Sequence, residues 1–235
     1  PPPPPPPLFF FTPTPAYAIS ACLVGSEMCI RDRFGRAAAP LGAAPSDGPR
    51  GDHDLNPGFT PRPEARPAAV LVPVVDRPDG ATILLTRRSD DLPVHAGQVS
   101  FPGGRVDTSD RDPVHTALRE SEEEIGLDPG AVTVLGRMDT YLTGTGYAVV
   151  PVVGLLNPPL ALTPDPREVA EIFEVPLALV CDRQNHRRES AMWKAKRRHY
   201  YVMPYKHYHI WGATAGMLVN LVDIIDRSRS GAAAD

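Results

Sequence analysis

The spacing of apolar residues divides the chain after about residue 68 into strand-like and helix-like segments. Short runs rich in Val, Ile and Leu, separated by turns such as Arg77-Pro-Asp-Gly80, are typical of strands. A period near 3.6 residues instead predicts helices at residues 114–125 and at about 214–225. Strands mixed with few helices indicate one α+β domain, predicted to span residues 68–228. The predicted strands are residues 69–75, 82–86, 132–137, 149–156 and 171–175.

The first 67 residues have a different composition, which predicts a disordered leader. They hold 16 of the 29 prolines, begin with seven in succession and contain no apolar run of membrane-spanning length. The run Cys22-Leu-Val-Gly-Ser-Glu-Met-Cys-Ile-Arg-Asp32 resembles the conceptual translation of a transposase adapter used in sequencing libraries. We therefore interpret residues 1–33 as an assembly artefact, with a genuine low-complexity leader as the alternative. Residues 229–235 are predicted to form a disordered tail.

Cysteine usage points to a reducing, cytoplasmic setting. Once residues 1–33 are set aside, Cys181 is the remaining cysteine, so the sequence offers neither a disulfide framework nor a cysteine metal set. A single cysteine beside an apolar run is expected to be a small core residue. No secretory signal is recognised, and no membrane contact is expected.

Charge is distributed unevenly along the chain. Residues 1–67 carry six Lys or Arg and six Asp or Glu, so the whole formal net charge of −4 lies in the remainder. This mild acidity argues against general nucleic-acid binding. Residues 183–206 are an exception, with eight Lys or Arg, one acid and four interleaved aromatic residues. This segment is expected either to attract a phosphate-rich ligand or to be a solvated loop or amphipathic strand.

The segment of residues 100–127 contains a glycine loop followed by a strongly acidic helix. Asp112 suits the N-cap, Pro113 the first helical position and Gly126 the residue just past the end. At 100° per residue, one narrow face of the helix is mostly apolar and is expected to pack. The residues of this face are Val114, Ala117, Leu118, Ser121 and Ile125.

Three glutamates lie on the flank of the same predicted helix. Glu120, Glu123 and Glu124 repel one another, because carboxylates three and four residues apart are neighbours on a helix. Mg2+ and Mn2+ prefer oxygen ligands, so these glutamates are candidate metal ligands. Gly103 and Gly104 allow the preceding chain to turn sharply and to approach a metal or a phosphate. The alternative is a solvated acidic helix.

Residues 104–127 resemble the Nudix box, the signature of enzymes that hydrolyse diphosphates linked to another moiety. The family pattern reads Gly, five residues, Glu, seven residues, Arg-Glu, an apolar residue, any residue, Glu-Glu, any residue, Gly, an apolar residue. This chain has Asp110 in place of the first Glu, one extra residue before Arg119-Glu120, and Ser121 in place of an apolar residue. The resemblance implies the Nudix fold, a mixed β-sheet sandwiched between α-helices.

A second stretch, residues 84–104, is similar to the segment that marks the coenzyme A diphosphatase branch of the Nudix superfamily. Residues 211–218, Trp-Gly-Ala-Thr-Ala-Gly-Met-Leu, are similar to that branch as well. The branch commonly has Arg, the natural bidentate phosphate ligand, where this chain has Pro93. The candidates for phosphate contacts that remain are Arg87, Arg88 and His95, with a solvated strand end as the alternative.

The resemblance implies metal-dependent hydrolysis of coenzyme A, or of an acyl derivative, to 3′,5′-ADP and 4′-phosphopantetheine or its acyl form. Glu120 and Glu124 would anchor Mg2+ or Mn2+. Glu123 would help to bind a second ion or act as the general base, and Arg119 would orient a neighbouring glutamate. Gly103 and Gly104 would contact the substrate.

Two other functions stay open from the sequence. One is a Nudix hydrolase that acts on ADP-ribose, a dinucleotide or a capped RNA end, and the other is a non-catalytic nucleotide-binding module. The intact glutamate set argues against the module. The expected partner is a small-molecule diphosphate, without specific nucleic acid or membrane, and a homodimer is left open.

Overall fold

The computed structural model describes residues 48–62, 64–193 and 196–231, with side chains as far as Arg227. The predicted artefact at residues 1–33 lies outside the described residues. Part of the predicted leader packs against the domain: the Asn56 side-chain amide donates to the His199 carbonyl oxygen (2.9 Å) and accepts from the His199 N–H (2.8 Å). The composition of the segment did not indicate this contact, because the contact depends on the single side chain of Asn56.

The larger sheet is built around two long parallel strands, β2 (Arg66–Val75) and β8 (Tyr147–Leu156), which pair along their whole length. The neighbours of these two strands are short or antiparallel, so the sheet is mixed. Its strand order is β1 (Arg50–Gly51), β7 (Tyr141–Leu142), β8, β2, β3 (Thr82–Arg88) and β4 (Val99–Ser100). Three more strands pair outside this order: β5 (Gly103–Arg105) with β2, β6 (Val132–Arg137) with β8, and β9 (Val169–Pro176) with β3.

Helices cover both faces of this sheet. Helix α1 (Pro113–Ile125) packs on one face, where Ala117 and Ile125 join a buried cluster with Leu71 and Leu84. The remaining elements include α2 (Leu177–Cys181), α3 (Gly212–Gly231) and a second sheet of β10 (Arg187–Trp193), β11 (Lys196–Tyr205) and β12 (Tyr208–Trp211). Short 3-10 helices lie at Asp52–Leu55, Pro129–Ala131 and Arg183–Asn185.

The second core cluster lies on the opposite face of the large sheet. There Leu218 of α3 and Met203 of β11 pack with Ile83 and Leu85 of β3. Cys181 is partly buried against this cluster. The predicted α+β architecture with a mixed sheet between helices is therefore confirmed. In the part of the chain that the structure describes, no helix is both long and apolar enough to cross a membrane.

All five predicted strands and both predicted helices are present, and α3 continues to Gly231, beyond its predicted end near residue 225 and into the predicted tail. The strands at residues 66–75, 82–88, 147–156 and 169–176 are longer than predicted, and residues 132–137 agree. The basic segment at residues 183–206 contains the hairpin of β10 and β11. Every residue of β10 is exposed, so this strand has no apolar alternation that could have revealed it.

Candidate active site

Helix α1 begins and ends where the sequence predicts. The Asp112 carboxylate accepts a hydrogen bond from the His115 N–H at 2.9 Å, and Pro113 follows as the first helical residue. Gly126 has the left-handed φ of 65°, and its N–H donates to the Glu122 carbonyl oxygen at 2.9 Å. Capping interactions thus fix both ends of the helix that carries the three glutamates.

The buried face of α1 also explains one departure from the family pattern. Ser121 is fully buried where an apolar residue is usual. Its hydroxyl donates to the Ala117 carbonyl oxygen one turn earlier at 2.6 Å, so this buried hydroxyl is not left unpaired. The hydroxyl therefore leaves this packing face intact.

Glu124, in the last turn of α1, carries a buried carboxylate. Its side chain is 3% exposed, and its Oε2 accepts a hydrogen bond from the Gly103 N–H at 3.1 Å. The Arg88 Nη1 lies 3.5 Å from the Glu124 Oε1. Burial raises the pKa of Glu124 to about 7, although Gly103 and Arg88 favour the ionised form. The carboxylate is therefore short of positive charge.

Glu120 lies one turn earlier against the adjacent glycine. A Cβ atom on Gly104 would overlap the Glu120 carboxylate in its present position, so a side chain there would push that carboxylate aside. Gly103 has a φ of 149°, and a Cβ there would come within 2.5 Å of the Ala69 carbonyl oxygen. Burial raises the pKa of Glu120 as well, against the opposing charge of Arg119. Strand β5 and α1 thus hold two shielded carboxylates side by side on the glycine pair.

Glu123 differs from the other two glutamates in its exposure. Its side chain is 59% exposed, and its Oε2 lies 3.0 Å from the Arg119 Nη1. The same Nη1 lies 3.0 Å from the Glu120 Oε1. Arg119 therefore links the exposed Glu123 to the partly buried Glu120, and its orienting role stays a prediction.

Asp110 anchors Arg119 from the other side. Its side chain is fully buried, and the Arg119 Nε and Nη2 each donate to it at 2.9 Å. Asp110 also accepts from the Asp107 N–H, the His115 Nδ1 and the Thr116 hydroxyl, all at 2.8 Å. The hydrogen bonds from Arg119 hold the pKa of Asp110 well below its usual range. With five donors around it, Asp110 serves to position Arg119 and offers no free oxygen to a metal.

The three candidate phosphate ligands lie in different surroundings. Arg88 is next to Glu124, as described above. The Arg87 Nη1 instead donates to both oxygens of Asp90 at 3.0 Å, and its Nε lies 3.8 Å from the Glu171 Oε2. His95 is exposed, and its Nδ1 lies 2.9 Å from the Gln98 Oε1. Of the three, Arg88 is the one that the structure brings to the glutamates.

A fourth carboxylate, Glu168, was missed by the sequence analysis. The loop before β9 docks on the end of α1, where the Thr163 N–H donates to the Ile125 carbonyl oxygen and the Asp165 N–H to that of Glu124. The Glu168 carbonyl oxygen accepts from the Ser89 N–H at 2.8 Å, next to Arg88. The charge of Glu168 raises the pKa of both Glu120 and Glu124. No motif surrounds Glu168, so its position depends on tertiary structure.

Comparison with known proteins decides the family. Residues 65–198 match the NUDIX domain family. The chain belongs to the Nudix family. A Pectobacterium atrosepticum protein named uncharacterized Nudix hydrolase NudL is 41% identical over 174 residues, which is 74% of this chain and 90% of that protein. A Photorhabdus laumondii protein of the same name is 43% identical over 156 residues, 66% of this chain and 83% of its own length.

Among solved structures, the Nudix hydrolase RenU of M. smegmatis is similar, with a TM-score of 0.46 and 22% identity over 69% of this chain and 87% of that one. Family membership makes this chain a Nudix hydrolase, an enzyme that acts on nucleoside diphosphate derivatives.

Nudix hydrolases generally use divalent metals, and two of the three predicted ligands fit one. Glu120 and Glu124 are both shielded from water and have raised pKa values, and Glu120 contributes to the shift of Glu124. A cation at this point would offset that repulsion. Within the described ranges, however, no three His, Cys, Asp or Glu side chains form a metal-binding group. Glu123 is more exposed and pairs with Arg119, and its role as a ligand stays a prediction.

Proposed function

We propose that this Nudix hydrolase cleaves the diphosphate bond of coenzyme A or of its acyl derivatives. One observation carries the proposal: the two segments that are similar to the coenzyme A diphosphatase branch touch each other, and one of them also reaches the glutamates. The Thr214 hydroxyl, from the segment of residues 211–218, donates to the Val99 carbonyl oxygen of the segment of residues 84–104 at 3.0 Å. The latter segment also supplies Arg88 and the glycine pair to the site.

The reaction adds water across the diphosphate. A water oxygen attacks one phosphorus, the bridging P–O bond breaks, and the products from coenzyme A are 3′,5′-ADP and 4′-phosphopantetheine. Glu120 and Glu124 would hold Mg2+ or Mn2+. When bound, such an ion supplies Lewis-acid chemistry, which neutralises charge on phosphate oxygens and makes water more acidic.

The other residues of the site bind, orient and move a proton. Glu123 is exposed beside Glu120 and Glu124, where it takes the proton of the attacking water. Arg119 holds Glu123 and Glu120 in place, and Asp110 holds Arg119. Arg88 contributes a guanidinium at the buried end of the site, where a phosphate oxygen offers it a second anionic partner.

A hydrolysis panel tests the substrate. Coenzyme A, acetyl coenzyme A, ADP-ribose and NADH are incubated with enzyme and Mg2+ or Mn2+, and the products are resolved by chromatography. We expect the highest kcat/KM for coenzyme A or its acetyl form. Equal or better turnover of ADP-ribose would remove the coenzyme A assignment, and no turnover of any compound would favour a binding module. Glu120→Gln is the inactive control, and Arg167→Gln, on an exposed loop, is the active one.

A further inference from the structure

We propose that Arg66, Arg105 and Tyr147 form a binding site for a substrate phosphate that is not part of the cleaved diphosphate. The ligand class is a phosphomonoester attached to a nucleoside diphosphate derivative. The inference rests on the proposed function, because coenzyme A carries such a group as its 3′-phosphate.

Two arginines converge on one tyrosine ring. The Arg105 Nε and Nη2 donate to the Tyr147 hydroxyl oxygen at 3.2 and 2.9 Å. From the neighbouring strand, the Arg66 Cζ lies 4.2 Å from the centroid of the same ring. Arg66 and Tyr147 are direct partners in the pairing of β2 with β8. The backbone register and the ring thus hold both guanidinium groups close together.

This cluster has no carboxylate partner in the part of the chain that the structure describes. Arg119 faces Asp110, and Arg183 faces two aspartates, but no Asp or Glu of the described residues forms an ion pair with Arg66 or Arg105. A third arginine, Arg62, lies beside Gly146, the residue that precedes Tyr147. A Cβ atom built on Gly146 would lie 3.3 Å from the Arg62 Nη1. Like charges repel, so a bound anion would stabilise the arrangement.

Strand β5 connects the cluster to the catalytic glutamates. Gly103 and Gly104 contact Glu124 and Glu120, and Arg105 is the next residue of the same strand. Consecutive side chains of a strand point to opposite faces, so Glu120 lies on one face of β5 and the Arg105 side chain on the other. Strand β5 pairs with β2 alone among the described strands. A substrate whose diphosphate lies at the glutamates can therefore reach Arg105 around this open edge.

The chemistry of the cluster suits a phosphomonoester. Such a group is close to dianionic at neutral pH and presents three terminal oxygens. Paired guanidinium N–H groups match these oxygens and form charge-assisted hydrogen bonds. Arg105 keeps the outer part of its guanidinium available, because its described side-chain hydrogen bonds all go to one hydroxyl.

A basic cleft elsewhere provides an internal comparison. It has a volume of about 550 Å³ and lies between residues 56–60 and residues 196–199 of β11. The Arg198 Cζ lies 4.2 Å from the centroid of the Phe59 ring there. This cleft is cationic and partly aromatic as well. It is not built on the strand that carries the glycine pair, so we assign the phosphomonoester to Arg66 and Arg105.

Two pairs of compounds that differ by one phosphate test the assignment. The first pair is coenzyme A and dephospho-coenzyme A, compared by kcat/KM. The wild type should favour coenzyme A by about tenfold or more, as expected for one charge-assisted contact. In Arg66→Gln and Arg105→Gln this ratio should fall towards one, Arg105→Lys should restore part of it, and Arg198→Gln should leave it unchanged.

The second pair, 3′,5′-ADP and 5′-AMP, is compared by calorimetric binding without turnover. The wild type should bind 3′,5′-ADP about tenfold more tightly, and Arg105→Gln should abolish that preference. Equal binding of the two nucleotides by the wild type would overturn the inference, even if coenzyme A is hydrolysed. A preference that is lost in Arg198→Gln instead would place the phosphate in the basic cleft. Preferential binding of 3′,5′-ADP without coenzyme A hydrolysis would support this site and reject the proposed function.

Discussion

Asp110, in the loop before α1, and Glu124, in the last turn of α1, both carry buried carboxylates, and their surroundings have opposite effects. Asp110 is enclosed by five hydrogen-bond donors, which lower its pKa. Glu124 has one backbone donor and a more distant arginine, and burial raises its pKa to about 7. Burial therefore does not decide the role of a carboxylate. A carboxylate whose oxygens are all hydrogen-bonded has a structural role, and a carboxylate with few donors is available to a cation.

Arg119 joins these two environments. It directs its Nε and Nη2 to Asp110 and its Nη1 to Glu120 and Glu123. The energetic gain is concentrated at Asp110, where the contact is bidentate and buried. Asp110 fixes the position of the Arg119 guanidinium. The positions of the Glu120 and Glu123 carboxylates depend in turn on that guanidinium.

The largest expected effect is on turnover, from Glu124→Gln and Glu120→Gln. Each substitution removes a proposed metal ligand, so kcat should fall by about a hundredfold or more. The measurement is steady-state hydrolysis with Mg2+ or Mn2+. Glu122→Gln is the matched control, because Glu122 is exposed on the same helical turn and should keep near-normal activity. Near-normal rates for both variants would contradict the proposed site.

Although Glu124→Gln should lower kcat, it should raise the folding stability of the metal-free protein, measured in a chelator. Because the folded-state pKa of Glu124 is raised from 4.5 to about 7, folding favours its protonated form. Stability is therefore highest below the ordinary pKa and falls as pH rises through this interval. At pH 8 the neutral Gln should stabilise the metal-free protein by about 2 kcal/mol, measured by urea unfolding. A loss of stability at pH 8 would show that Glu124 is well compensated.

The largest expected effect on stability comes from Asp110→Asn. The Asn side chain is neutral, and its NH2 group would face the N–H donors of Arg119. The Arg119 guanidinium therefore loses its carboxylate partner. We expect a loss of about 3 kcal/mol in urea unfolding at neutral pH. The lowered pKa means that this stability is present above about 3.8 and is lost as pH falls below it, so the two proteins should converge in acid.

Activity of the Asp110 variants separates positioning from catalysis. Asp110→Asn should lower kcat through the displaced Arg119. Asp110→Glu, which restores the usual residue of the family pattern, should recover part of it. Full activity in folded Asp110→Asn would contradict the positioning role.

Local signals made α1 predictable, and tertiary contacts account for what was missed. Asp112, Pro113 and Gly126 mark the helix ends through capping and local backbone conformation, and helical spacing together with the family resemblance indicated Glu120 and Glu124. Arg87 pairs with Asp90 and with Glu171, which lies on a strand distant in sequence, and its predicted phosphate contact stays a prediction. Glu168 likewise reaches the site through a loop docked on the carbonyl end of α1. Neither contact has a periodicity or a motif.

The smallest effect is expected from Arg167→Gln, which tests a third carboxylate environment. Arg167 lowers the pKa of Asp165 to about 2, a clear shift, yet the Arg167 side chain is 86% exposed. Solvent and salt screen such a pair, and its geometry costs side-chain entropy, so the thermal midpoint should stay unchanged at both low and high salt. The backbone contact between Asp165 and Glu124 survives the substitution, so activity should also persist. A midpoint shift as large as that of Asp110→Asn would mean that a lowered pKa alone predicts stabilisation, whatever the exposure of the partner.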